Sequence, residues 1–66
     1  MTVARITEIS SISANSFEDA IRQGVARANQ TLKNVKGAWV KDQEVTIDNG
    51  IVTGYKVILK VTFVLQ

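Results

Sequence analysis

The sequence contains no cysteine and no histidine. These absences exclude disulfide bonds, zinc fingers, iron–sulfur ligation by cysteine and the side chain that most often acts as a catalytic base. A chain of 66 residues forms one domain at most, which we predict to span 1–66. A domain of this size buries only about 60% of the surface that its unfolded chain exposes. Oligomerisation is therefore the expected source of additional stability.

The net charge is also small, at +2, and the basic residues are scattered along the chain. Nucleic-acid-binding proteins usually concentrate their basic residues in one patch, so no nucleic-acid partner is predicted. The N-terminus lacks the continuous apolar run of a signal peptide, and no stretch of about 18 apolar residues would span a membrane. The hydrophobic fraction of 45% is ordinary for a globular chain. We expect a cytoplasmic protein without a membrane partner.

The clearest pattern lies in the last stretch, Gly54 to Gln66, which we predict to be a strand. Every second residue is apolar, so one face of this strand is expected to form the core. The apolar row contains Tyr55, Val57, Leu59, Val61, Phe63 and Leu65. The second face is mixed, because Ile58 and Val64 alternate with lysines and other residues.

Earlier in the chain, Val3 to Ile9 is predicted to form a first strand and Ser10 to Ser16 a turn, because small polar residues favour turns. Ser16 is a helix N-cap, with Asp19 three residues later as in a capping box. The helix is expected to run to about Lys33. It has one apolar stripe that includes Gly24, whose helix-propensity cost indicates a close backbone approach to the sheet.

A second strand is predicted from Ala38 to Ile47, followed by a hairpin turn. The turn is Asn49-Gly50, a pair that suits a type I′ turn because both residues tolerate positive φ. A two-residue turn makes the numbers of facing residues add to 99. The second face of the sheet then carries Trp39 opposite Lys60, Lys41 opposite Ile58, and Gln43 opposite Lys56.

The same register places Asp42 and Glu44 on the core side. Either these acids lie where the sheet extends beyond the helix, or a β-bulge shifts the register. The order strand–helix–strand–strand predicts an α+β fold. We expect a three-stranded sheet of antiparallel type, in the order 1-3-2, wrapped on one helix, because a right-handed parallel crossover leaves the third strand in the middle.

Three interpretations of Trp39 stay open: a subunit interface, a stacking platform for a planar ligand, or an exposed tryptophan without a role. Catalysis has little support, since the serines lack a histidine partner and no glycine-rich phosphate loop is present. No catalytic residues and no metal ligands are predicted. A cation site built by an oligomer from Asp42, Glu44 or Asp48 is a minor alternative.

The chain resembles the dodecin family over nearly its whole length. The resemblance is carried by four segments together with the order of elements: S-F-E-D-A at Ser16 to Ala20, R-A-N-Q-T-L at Arg27 to Leu32, V-K-D-Q at Val40 to Gln43, and Y-K-V-I-L-K-V-T-F-V-L at Tyr55 to Leu65. The resemblance implies a homododecameric hollow shell. It also implies flavin binding for storage or buffering, without enzymatic activity.

In flavin-binding dodecins a tryptophan at the start of the second strand stacks on the flavin, and a glutamine in the third strand hydrogen-bonds its polar edge. Here Gly37 and Lys56 occupy those two positions, while Trp39 lies two residues after Gly37. We therefore expect FMN, riboflavin or a related planar molecule to contact Trp39, Gln43, Lys56 and Gly37. The alternative is a structural homo-oligomer whose Trp39-bearing face is a subunit interface and which binds no flavin.

Overall fold

The computed structural model describes residues 2–65, which form one helix and three strands. In chain order these are β1 (Ala4–Ser13), α1 (Phe17–Thr31), β2 (Val35–Asp48) and β3 (Ile51–Val64). The strands pair antiparallel in the order β1-β3-β2, as predicted, and α1 packs on one face of the sheet. The predicted end of the third strand at Gln66 lies outside the described residues.

The helix begins where the capping pattern indicates. The Ser16 hydroxyl accepts a hydrogen bond from the backbone N–H of Asp19 at 3.0 Å, which satisfies one of the free donors of the first turn. The Asp19 carboxylate does not bind the backbone N–H of Ser16, as it would in a full capping box. It accepts hydrogen bonds from the Ser13 hydroxyl at 2.5 Å and from the Gln23 side chain at 2.6 Å. The helix ends at Thr31, two residues before the predicted Lys33.

Gly24 lies at the closest approach of α1 to the sheet. A methyl group at this position would be 2.9 Å from Leu59 Cδ1 and 3.2 Å from Ser11 Cβ. The absence of a side chain therefore lets the helix backbone approach β1 and β3, as predicted from the sequence. Ala20 and Ala28, one helical turn away on either side, are buried on the same stripe.

The core follows the apolar row of β3. Val57, Leu59 and Val61 are almost completely buried beneath α1. Near the start of the helix, the rings of Phe17 and Tyr55 pack edge to face with centroids 5.2 Å apart. The predicted core row is correct at its centre, whereas Leu65 follows the end of β3 and is exposed.

The first strand is longer than predicted, because Ser10–Ser13 continue β1 instead of forming a turn. Ser13 is buried, and its hydroxyl donates to Asp19 and accepts from the backbone N–H of Asn15 at 2.9 Å. These bonds satisfy a polar group that would otherwise be costly to bury. The chain therefore turns only at Ala14 and Asn15.

The hairpin has the predicted turn but not the predicted register along its full length. Asn49 and Gly50 have φ values of 54° and 78°, as a type I′ turn requires. Thr53 is an extra residue in β3, and Lys41 is an extra residue in β2, so the register shifts by one between them. The prediction that Lys41 faces Ile58 and Gln43 faces Lys56 is therefore wrong. Of the two alternatives for the acidic residues, a bulge is the one that the register shows.

Candidate functional site

We call the sheet face that α1 does not cover the outer face. Trp39 lies on it and pairs with Lys60 of β3. Its side chain is not buried within the protomer, since the residue is 48% exposed. An indole that is half open to solvent presents a flat apolar surface on which another planar group can stack.

Gly37 lies two residues before Trp39 and pairs with Thr62 in the same register, so the two residues share the outer face. Apart from Gly37 and its two neighbours in the chain, no residue has an atom within 4 Å of the point where a Cβ would project from Gly37. The sheet therefore has open space beside the indole. A planar ring that stacks on Trp39 would meet no protein side chain at Gly37.

A charged cluster borders Trp39. The carboxylate of Glu8, on β1, accepts a hydrogen bond from Lys41 Nζ at 3.2 Å and lies 3.6 Å from Lys60 Nζ. The hydrogen bond and the charge of Lys41 lower the pKa of Glu8 below its ordinary value, with a smaller contribution from Lys60. The bulge allows this contact, because Lys41 and its neighbour Asp42 together face one residue of β3.

Further along the outer face, the shifted register brings acids and a lysine together. Asp42 pairs with Ile58, and Glu44 pairs with Lys56, whose Nζ lies 3.4 Å from the Glu44 carboxylate. Together with Gln43 these residues line a shallow depression of about 260 Å³. The unshifted register would put Asp42 and Glu44 on the core side; with the bulge, the alternative that the structure bears out, both pair with outer-face residues.

Gln43 pairs with Val57, a core residue, and facing residues share a sheet face. The Gln43 side chain therefore leaves the sheet on the side of α1, although the residue borders the depression from the edge strand. Of the four residues expected at the ligand, Trp39, Gly37 and Lys56 lie on the outer face, whereas Gln43 borders the depression beside Lys56 but pairs with a core residue.

Sequence reasoning missed Glu8 as a residue of this surface, and it left open whether a bulge moves Asp42 and Glu44 away from the core side. The alternation along β1 was a usable signal, because Glu8 pairs with Lys60 in the antiparallel register. The acids themselves gave a second signal, since a carboxylate that faces a core row is unfavourable and indicates a bulge.

Two structural findings concern other kinds of site. Within residues 2–65, no three acidic side chains come together as a group that could hold a metal ion. In the same part of the chain, no helix has both the length and the apolar character needed to cross a membrane.

Comparisons with known proteins agree with this architecture. The family model described as Dodecin matches residues 3–66. The dodecin of Streptomyces coelicolor is 32% identical, with a TM-score of 0.92 over 98% of this chain and 93% of that chain. A point mutant of the Thermus thermophilus dodecin is 33% identical, with a TM-score of 0.92 over 100% of this chain and 98% of that chain.

A third solved structure is similar but more distant. It is the calcium dodecin of Mycobacterium tuberculosis, described as a calcium-chelating antigen with a novel calcium-binding site. It is 26% identical, with a TM-score of 0.85 over 97% of this chain and 91% of that chain. No curated protein matches the chain.

Proposed function

The chain belongs to the dodecin family, and we propose that it is a non-catalytic homododecamer that binds a flavin or a related planar molecule for storage or buffering. The observation that carries this proposal is the half-exposed indole of Trp39 beside the open space at Gly37. A flat heterocycle gains an offset stacking contact on such an indole in addition to the apolar area that it buries. Trp39 would thus provide the stacking surface that Gly37 lacks.

The position of Lys56 favours a ligand with a negative charge at some distance from its ring. Trp39 pairs with Lys60, and Lys56 lies four residues away along β3, which is about 13 Å at the rise of a strand. Lys56 therefore fits a phosphate at the end of a flexible chain better than the edge of a ring stacked on Trp39. Between FMN and riboflavin, this geometry supports FMN.

Lys56 already has a partner, because the Glu44 carboxylate lies 3.4 Å from its Nζ. A ligand phosphate at Lys56 would have to replace or share this ion pair and would be repelled by Glu44. Ion pairs at exposed positions are worth only about 0–1 kcal/mol. A doubly acidic phosphate can therefore compete for the lysine, and we expect the preference for FMN to weaken as salt is added.

The test is a titration of FMN and of riboflavin with the protein, followed by flavin fluorescence and absorbance. We expect fluorescence quenching in the wild-type protein and its loss in Trp39→Ala, whereas Trp39→Phe should retain part of the quenching because it keeps an aromatic face. Unchanged fluorescence and absorbance at tens of micromolar wild-type protein would refute flavin binding.

A matched pair of variants tests the phosphate contact. Lys56→Gln should weaken FMN binding more than riboflavin binding, because riboflavin has no phosphate. Lys56→Arg keeps the positive charge and should preserve the preference for FMN. Equal losses for both flavins in Lys56→Gln would contradict the assignment of Lys56 to the phosphate.

A second candidate function has its own observation. Ile6 and Ile12 of β1 are more than half exposed, and their pairing with Thr62 and Lys56 places them on the outer face with Trp39. Apolar residues on an uncovered face are typical of a subunit interface. If the outer face is such an interface, Trp39→Ala should dissociate the oligomer on a sizing column; a ligand site predicts an intact oligomer that no longer binds flavin.

A further inference from the structure

The end of the β2–β3 hairpin projects beyond the helix. We call residues 46–53 the arm. The ring of Tyr55 packs against Phe17, the first residue of α1, and the arm continues away from this point. Ile47 and Ile51 are 63% and 68% exposed, and Val52 is also exposed. The arm therefore carries aliphatic side chains that the protomer itself does not cover.

A groove of matching character lies between α1 and the beginning of β2. We call it the helix–β2 groove; its volume is about 430 Å³ and its lining residues are Ile21, Arg22, Val25, Ala26, Asn29 and Val35. Ile21, Val25 and Val35 are only partly buried against the core. An aliphatic side chain from another molecule would complete their burial, at roughly 25 cal/mol per Å² of apolar surface.

The charges of the two surfaces are complementary. The arm contains one carboxylate, Asp48, and no basic residue. At the groove, Arg22 already forms an ion pair with Glu18 at 2.6 Å, whereas Lys36 adjoins the lining residue Val35 in the chain. Within residues 2–65, no ion pair engages Asp48 at the arm or Lys36 near the groove. Opposite charges on the two surfaces favour one orientation of docking.

From these observations we infer that the arm of one copy docks in the helix–β2 groove of a second copy. The inference rests on the self-assembly in the proposed function and adds the contact that makes it. The arm of a protomer does not reach its own groove, since Gly24 packs beside Leu59 and Ile51 is eight residues further along β3, about 26 Å. The contact is head to tail, and copies joined in this way form a ring when the rotation between neighbours closes.

The groove on the opposite side of the helix suits the arm less well. It lies between α1 and β1, and its lining includes the polar residues Gln23, Arg27 and Thr31 beside the apolar Ile9 and Leu32. Aliphatic residues docked there would remove these polar groups from water without new hydrogen bonds, which is unfavourable. The helix–β2 groove is therefore the expected docking site, and the groove between α1 and β1 is a matched control on the same helix.

Because the chain has no cysteine, an introduced pair reports the contact without background. The test variant is Ile51→Cys with Asn29→Cys, an exposed position at the helix–β2 groove. The control variant is Ile51→Cys with Thr31→Cys, at the opposite groove. A disulfide requires Cα atoms within about 7 Å, so neither pair closes within a protomer. Both variants are oxidised mildly and compared on a denaturing, non-reducing gel, after a sizing column has measured their assembly.

The inference predicts loss of the monomer band and appearance of linked multimers for the Asn29 pair only, with Ile51→Cys alone remaining monomeric on the gel. An assembled protein in which the Asn29 pair does not crosslink, or in which the Thr31 pair crosslinks equally well, would overturn the inference and leave the proposed function standing. A wild-type protein that elutes as a monomer would overturn both.

Discussion

Replacing Gly24 with alanine sets two physical effects of opposite sign against each other. Alanine is favoured over glycine inside a helix by about 1 kcal/mol. The new methyl group would lie 2.9 Å from Leu59 Cδ1 and 3.2 Å from Ser11 Cβ. Leu59 is 1% exposed and cannot move aside freely, and Ser11 Cβ is bonded directly to the β1 backbone. Overpacking of this kind costs about 1–3 kcal/mol.

The overpacking cost exceeds the propensity gain, so we expect Gly24→Ala to lower the free energy of unfolding by about 1 kcal/mol in net. The measurement is guanidinium unfolding followed by far-UV circular dichroism, at one protomer concentration because the stability of an oligomer depends on it. Gln23→Ala and Gln23→Gly, at an exposed neighbour, calibrate the propensity term in the same helix. If Gly24→Ala raises stability by the amount that separates the two Gln23 variants, the close approach is not a constraint and the reasoning is refuted.

Three further predictions concern a cap, a turn and a titration. Ser16→Ala should lower the free energy of unfolding by about 1 kcal/mol, and Ser16→Asp should preserve it, because a side-chain oxygen must accept the N–H of the third helical residue. If denaturant unfolding shows equal losses for the two variants, the cap is contradicted. Asn49→Ala should cost about 1–2 kcal/mol because its φ is positive, while Asn49→Gly should cost little. The lowered pKa of Glu8 means that its bond to Lys41 stabilises the fold above the ordinary value of 4.5, and that this contribution disappears as pH falls through the lowered value. The difference in thermal midpoint between wild type and Glu8→Gln should therefore shrink in acid, and a difference independent of pH would contradict the ion pair.

The sequence predicts the local features of the fold well, because each has a chemical cause within a few residues. The Ser16 cap follows from a hydroxyl that reaches a free N–H. The Asn49-Gly50 turn follows from the tolerance of both residues for positive φ. Strand order follows from the rule of right-handed crossovers applied to one helix between parallel strands.

The length of β1 was not predictable in the same way. Ser10–Ser13 look like a turn because their propensities favour one, yet they continue the strand. The reason is tertiary: Ser11 is small enough to accept the close approach of Gly24, and Ser13 is bound by Asp19. Both partners lie in α1, beyond the turn that follows β1, so the propensities of the serines themselves could not reveal that they serve packing.

The candidate site was predictable in part. Gly37 and Trp39 share the outer face because no bulge lies between them, and simple alternation is sufficient there. Gln43 was misplaced because alternation fails beyond the extra residue at Lys41. The contact between Lys41 and Glu8 was not predictable from the β2–β3 hairpin, because Glu8 lies on β1.

The bulge at Lys41 also bears on solubility. β2 is an edge strand of 14 residues. The unpaired N–H and C=O groups of a long, regular edge can form hydrogen bonds with a strand of another chain, and repetition of this pairing produces fibres. The extra residue breaks the spacing of those groups near the middle of the strand, and Lys41, Asp42 and Glu44 add charge at the same point. An irregular, charged edge resists the addition of further strands. The bulge therefore makes open-ended fibre growth through β2 less favourable.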